Sequence, residues 1–243
     1  MFALWKKEVS AFFTSLAGYL IVGVFVLSTS LFLWIIPGNF NIPYGGYATL
    51  DPLFWLAPWL YLFLIPAVTM HLFAEEKRSG TLELLYTKPV TDWQIVNAKY
   101  LAGLTLAIIS LLPTLIFFAS VSYLAQPAGN VDFGATWGSY AGLALLAAVY
   151  TAVGVFTSSI TGNQIIAFVL AVVICFTLYS GFGAIADMPA IRPIAGAVAA
   201  LGIDFHYASV SRGVIDSRNA VYFASIIVLF LALTRMALGS RKW

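Results

Sequence analysis

Apolar runs of span length recur along the chain, separated by short polar breaks, and about twenty apolar residues are what an α-helix needs to cross a bilayer. They predict six spanning helices, over 16–36, 54–73, 97–124, 137–157, 164–186 and 219–238. Pro58 and Pro66 in the second and Pro113 in the third predict kinks. Proline lacks an N–H, so the carbonyls it frees need a neighbouring helix or a hydroxyl. Gly138 and Gly142 in the fourth put two small residues on one face, as in close helix contacts. Ahead of the first span, Phe2, Trp5, Val9, Phe12 and Leu16 lie along one side of a helix, with Lys6, Lys7, Glu8 and Ser10 elsewhere. This fits an amphipathic helix in the headgroup plane, and equally a pair of lysines that flank the first span. No small-residue cleavage pattern follows the run 16–36, so a removed signal peptide is not expected.

Composition agrees with the pattern. The chain is 61% hydrophobic and 9% charged, with a mean hydropathy of +0.94, whereas soluble domains carry about 25% charge. It is an integral membrane protein. A net charge of +2 is too small to imply nucleic acid, and topology accounts for the basic residues. Nine of the twelve lie at the N-terminus (Lys6, Lys7), in the loop after the second span (Lys77, Arg78, Lys88, Lys99) and in the tail (Arg235, Arg241, Lys242). The segments 37–53 and 125–136 have none. Lysine and arginine are retained on the cytoplasmic side, so both termini and that loop are expected there. Only Arg192, Arg212 and Arg218 are left outside.

Two segments stand apart from the spans. Residues 74–94 concentrate charge, and Pro89 divides them into two short helices. The first is expected over 81–86, with Thr81 as N-cap, Glu83 at the positive end of the helix dipole, and Leu82, Leu85 and Tyr86 forming an apolar face. The second opens at Thr91, with Gln94 completing a capping box and Val90 stapling against Ile95. Outside, Ile194 to Ile203 is a charge-free run too short to span and too apolar to lie freely in water. Pro193 can start a helix there, Gly202 can end it, and Asp204 can cap another through Val214. Two short helices dipping into the outer leaflet and an ordinary loop with an apolar patch are both open readings.

Little in the chain suggests chemistry. The span interiors hold no acidic residue, lysine or histidine, and Arg235 sits near the cytoplasmic end of the sixth, where it can snorkel. An ion-driven transporter is therefore disfavoured. His71 and His206 fall on opposite sides of the membrane, Cys175 is a lone thiol in an apolar run, and no catalytic or metal-ligating set emerges. Ser180-Gly181-Phe182-Gly183 has no histidine at its depth to activate a serine, and no P-loop occurs. No cofactor is expected. These features point to a passive half of a machine powered by another subunit. The competing class is a non-transporting membrane anchor or assembly subunit that uses the same loop to recruit a cytoplasmic protein.

Six spans, the opening Trp5-Lys6-Lys7-Glu8-Val9 leading to Phe12-Phe13, and the run Ala74 to Leu85 followed by Pro89 and Lys99 resemble ABC-2 type ABC transporter permeases. The resemblance covers essentially the whole chain. Ala57-Pro58-Trp59-Leu60, Ile65-Pro66-Ala67 and the short external loops are most similar to the permease subunit of the gliding-motility-associated transporter. The resemblance implies an all-α membrane protein whose 243 residues form one transmembrane domain of the bacterial inner membrane. It implies an elbow helix at 1–15, a coupling helix within 75–88 that docks on a separate ABC ATP-binding subunit, and a re-entrant hairpin between the fifth and sixth spans. Coupling positions carried over are Glu75, Glu76, Arg78, Gly80, Thr81, Leu82 and Glu83, with Leu85 on the same face; Pro193, Ile194, Gly202 and Asp204 fall in the hairpin, as an outer gate. The other partners implied are a second copy of the chain or a related membrane subunit, and membrane lipids. An amphipathic or hydrophobic substrate suits spans without buried charge.

Single cysteines placed at Ser79 and at Asn130 in a Cys175→Ala background should be labelled by an impermeant maleimide from opposite sides of sealed vesicles. Labelling of both from one side would refute the six-span topology.

Overall fold

Small side chains let helices approach, and the run that is richest in them builds the centre of the bundle. The protein, described here by a computed structural model, is defined over residues 1–87, 89–127, 130–214 and 216–239, with the side chains of Ala17, Leu84 and Tyr86 also left out. Lys88, Arg241, Lys242 and the Tyr86 side chain thus lie outside the described residues. The described residues form helices and no strand. α1 (Phe2–Thr14) leads through Ser15, whose hydroxyl accepts the Gly18 N–H, into α2 (Leu16–Ser30) and a π-turn at Leu31–Ile35. A short α3 (Ile42–Gly45) precedes α4 (Asp51–Thr69), α5 (His71–Arg78) and α6 (Leu82–Tyr86). α7 (Asp92–Leu111) passes through a 3₁₀ turn at Leu112–Thr114 into α8 (Leu115–Leu124), followed by α9 (Phe133–Ile160). α10 (Gln164–Phe176) continues through a π-turn at Thr177–Gly181 into α11 (Phe182–Ala186). A 3₁₀ turn at Pro189–Ile194, α12 (Ala195–Ala199), α13 (Ile203–Val210) and α14 (Ser217–Gly239) complete the chain.

Six helical stretches are long and apolar enough to cross a membrane: Gly18–Ile35, Asp51–Arg78, Asp92–Leu124, Phe133–Ile160, Gln164–Ala186 and Ser217–Gly239. They match the expected six, with the second, third, fourth and sixth starting earlier. The second also runs on to Arg78, because α5 extends α4 as a charged helix. α9 is the axis: 78% of its most apolar window is buried, against 22% for the first and fifth stretches, and it packs against α4, α5, α7, α10, α13 and α14.

The prolines act unequally. α4 runs on through Pro58, whereas Pro66 precedes a break at Met70 and Pro113 lies in the 3₁₀ turn. Hydroxyls serve the disturbed backbone, as expected in hydrocarbon. Thr69 Oγ1 donates to the Ile65 carbonyl at 2.9 Å, and Tyr140 Oη donates to the Thr114 carbonyl at 3.1 Å. At the α4–α5 break Ser158 of α9 enters the ladder: its Oγ accepts from the N–H groups of Phe73 (2.9 Å) and Ala74 (3.0 Å) and donates to the Met70 carbonyl (2.9 Å). Gly154, one turn earlier, allows this approach, since a Cβ there would stand 2.0 Å from Thr69 Oγ1.

The segment between the fifth and sixth spans is a bent helical pair, Pro189–Ala199 and Ile203–Val210, at 55°. Its first arm packs on α11 and its second on α9 and α14. Gly138 and Gly142 do mediate a close contact, but with this segment and not with another span: their Cβ positions fall 2.6 Å from the Gly213 carbonyl oxygen and 2.5 Å from Val210 Cγ1. The cap differs from expectation. Gly202, in extended backbone, is the N-cap of α13, and Asp204 lies inside its first turn. α13 ends at Val210, short of Val214, where the chain turns through Gly213 at φ +82°. His206 ties the arms together: Nε2 donates to the Ala200 carbonyl at 2.9 Å, Nδ1 meets the Asn219 side-chain oxygen at 2.8 Å, and the ring stacks on Tyr222 at 3.9 Å.

Ser158→Ala leaves two buried N–H groups and a carbonyl without their shared partner. It is expected to destabilise the detergent-solubilised protein by about 1–3 kcal/mol, read from denaturant unfolding.

Candidate functional site

At the charged end of the bundle, helix periodicity sets which acidic residues face inward. In α5, Leu72, Phe73 and Glu76 share one face by their spacing of three and four, and all three are buried, while Glu75 and Arg78 point out. In α1, Trp5, Glu8 and Phe12 share a face in the same way; Glu8 is buried against the bundle and the Trp5 indole N–H donates to Thr105 Oγ1 of α7 at 3.1 Å. Lys99, in the second turn of α7, is 0% exposed.

These three groups meet. Lys99 Nζ donates to Glu8 Oε1 at 2.9 Å and to the Leu72 carbonyl, and forms an ion pair with Glu76 Oε2 at 2.8 Å, so three oxygens surround its ammonium. Lys7 Nζ closes the set on Glu76 Oε1 at 2.9 Å and Glu8 Oε1 at 3.5 Å. The Phe73 ring lies 4.9 Å from Lys99 Nζ. Two lysines and two glutamates leave the cluster neutral. Burial works to lower the Lys7 ammonium's pKa, but its hydrogen bond to Glu76 and the charges of Glu8 and Glu76 together hold it above its ordinary value. The pairing it contributes is therefore complete below the ordinary lysine pKa and is lost only as pH rises through the elevated one.

The cluster corrects two expectations. Lys99 is not a loop residue that reports topology, and the third span's helix does carry an internal charge, made tolerable by Glu8 and Glu76. Glu8 lies on the inward side of α1, not away from it.

Beyond the cluster the chain makes an exposed turn. α5 ends at Ser79 and reverses through Gly80 at φ +71°, a left-handed position that suits glycine. The Gly80 N–H bonds the Lys77 carbonyl at 3.3 Å. Thr81 precedes α6 without capping it: its hydroxyl turns back to Ser79 Oγ (2.9 Å) and the Glu76 carbonyl (3.5 Å), consuming the group that the cap required. α6 covers Leu82–Tyr86, and its apolar face turns inward. Leu82 is buried in the chain's own core and Leu85 packs against it, so the outward surface is polar: Glu75, Arg78, Gly80, Thr81 and Glu83. The Thr91–Gln94 capping box is present in both directions, at 3.3 and 3.1 Å, and Val90 and Ile95 both join the core. Arg235 of α14 lies over the Trp93 ring at 5.2 Å, adding the last span to this end.

Of the expected coupling positions, Glu76 is thus drawn into the cluster, Leu82 and Leu85 into the core, and the others share the exposed tip. Glu8 and Lys99 were missed, although their spacing carried a signal: Trp5, Glu8 and Phe12 fall on one face, as do Ile95, Lys99, Ala102 and Leu106. Ser180 lies in a π-turn, without the sharp elbow that a nucleophile requires.

Residues 52–196, well over half of the 243, match the family model described as ABC-2 family transporter protein. The chain belongs to the ABC-2 transporter family. A search of curated proteins finds no match. As an ABC-2 permease it is a multi-pass membrane protein and the transmembrane component of an ABC exporter, in a family whose permeases pair with an ATP-binding subunit. The matched stretch carries α5, α6 and Lys99, whereas α1, with Lys7 and Glu8, lies outside it.

Removing one partner of a buried ion cluster leaves an uncompensated charge. Lys99→Met in the permease is therefore expected to cost about 3–5 kcal/mol in denaturant unfolding. Lys99→Met/Glu8→Gln, which leaves the Lys7–Glu76 pair balanced, should recover most of that. A single variant as stable as the parent would mean that the cluster does not anchor this end.

Proposed function

We propose that this permease serves an ATP-driven exporter of the bacterial inner membrane, with both termini and the 75–88 loop in the cytoplasm and the exposed tip of that loop docked on a separate ATPase. In this reading α1 is the elbow helix, α5 and α6 carry the coupling element, and a second copy or a related membrane subunit completes the transmembrane unit. The observation that carries it is the charge cluster: Glu76 at the root of the tip is ion-paired to Lys7 of α1 and Lys99 of α7. Force applied to the tip therefore reaches two helices through short, buried contacts and not through a slack loop. Because Leu82 and Leu85 face the core, the docking surface is the polar set Glu75, Arg78, Gly80, Thr81 and Glu83. The bent pair of 189–210, with Pro193, Ile194, Gly202 and Asp204, is the outer re-entrant gate in this scheme, and an amphipathic or hydrophobic molecule is the cargo. On the residues of α4 quoted above, the chain resembles the gliding-motility-associated permease subunit.

Glu83→Arg reverses an exposed charge at the tip and should reduce recovery of the co-expressed ATPase in pull-down by about tenfold or more. Arg192→Gln, at the other end of the bundle, should leave recovery unchanged. Equal recovery with Glu83→Arg would move the contact away from the tip. Retained ATPase whose ATP turnover responds to no ligand would favour the anchor reading.

A further inference from the structure

Far from the ion cluster, near the start of α4, a cavity of about 470 Å³ opens between α4, the π-turn Thr177–Gly181 and α13. Its walls are aromatic: Trp55 and Trp59 of α4, Tyr179 and Tyr207. The Trp59 and Tyr179 rings meet edge to face at 5.5 Å, and Tyr179 and Tyr207 at 6.3 Å. Two opposite charges border the same space, Asp204 and Arg212, both exposed. Arg212 Nε donates to the Ala208 carbonyl at 3.0 Å, which folds the side chain back along α13. Ala208 is one turn from Asp204, about 6 Å along the axis. Even so, the two do not pair with each other, and neither joins the Lys7–Glu8–Glu76–Lys99 ion pairs. Arg212 also borders a smaller cavity that carries Asp51 and Asp132, again without an ion pair to either.

Aromatic faces beside a carboxylate suit an ammonium group, through cation–π attraction and a charge-assisted hydrogen bond. A guanidinium suits a phosphate. Opposite charges that share a cavity without neutralising each other complement a ligand carrying both in the reverse sense. Beside the cavity α4 and α10 pack against each other. Along this seam Trp59 meets Phe176 of α10 at 6.4 Å, and one turn further along each helix Phe63 (59% exposed) and Val173 (55%) are exposed apolar side chains. That seam offers acyl chains a track beside the polar cavity.

The geometry points to a binding site for a zwitterionic phospholipid, its ammonium held by Asp204 among Trp59, Tyr179 and Tyr207, its phosphate by Arg212, and its chains along the α4–α10 seam. The site stands apart from the coupling scheme, because its occupancy needs neither ATP nor an ATPase. The test is equilibrium calorimetry on the delipidated full chain in detergent, with short-chain phosphatidylethanolamine, phosphatidylglycerol of equal chain length, and soluble phosphoethanolamine as probes. Phosphatidylethanolamine should bind at least about tenfold more tightly than either of the others. Asp204→Asn should abolish the preference over phosphatidylglycerol, and Arg212→Gln should weaken both lipids alike, with unfolding temperatures unchanged because both residues are exposed. Equal affinity for the two lipids, or a preference that survives Asp204→Asn, overturns the site. Soluble phosphoethanolamine binding as tightly as the lipid overturns the assignment to a lipid.

Discussion

A lysine ammonium with no exposure to water can stay charged only if its solvation shell is replaced atom for atom. Here the replacements come from two other helices: Glu8 from α1, Glu76 and the Leu72 carbonyl from α5, with Lys7 of α1 balancing the second carboxylate. The low dielectric that makes such pairing strong also makes each missing partner costly. The requirement fixes more than a local contact. It decides which side of α1 faces the bundle, how far α5 projects before its turn at Gly80, and which face of α7's second turn is turned inward. A hydrophobic seam could slide by a residue at modest cost; an ion cluster with matched donors and acceptors has one register.

The rest of the bundle solves the complementary problem of packing without such pairs. α9 supplies glycine, alanine, serine and threonine on nearly every side, so its neighbours approach closely and its hydroxyls reach their backbones. Gly154 admits Thr69 at one level, and Gly138 and Gly142 admit the segment of Val210 and Gly213 at another. The two ends therefore differ in chemistry. One is locked by charge and presents a polar tip. The other is assembled from a bent helical pair, with an aromatic cavity whose charges stay unpaired.

What the sequence made legible follows the range of the forces involved. Span number depends on local length and apolarity, and all six were readable. The Thr91–Gln94 box was readable because caps depend on residues within four positions. Thr81 shows the limit even there, since its hydroxyl had two local uses and the structure takes the backward one. Leu82 was legible as apolar but not as inward, because which side of a short helix meets the core is a tertiary matter. Lys99 and Glu8 lie 91 residues apart, and neither suggests the other until α1 is laid along α7.

Ser158 has a further meaning for how α4 and α5 are joined. A helix interrupted in hydrocarbon ordinarily exposes N–H and carbonyl groups that nothing in lipid can satisfy, so bending it carries a steep penalty. Here the orphaned groups of Met70, Phe73 and Ala74 converge on a hydroxyl that belongs to a different, buried helix and that both accepts and donates. The interruption is therefore already solvated, by protein in place of water. In mechanical terms the α4–α5 junction is a lubricated bearing: its axle is fixed on α9, and the angle between the two arms is set by what each arm touches and not by the ladder that would otherwise hold them straight.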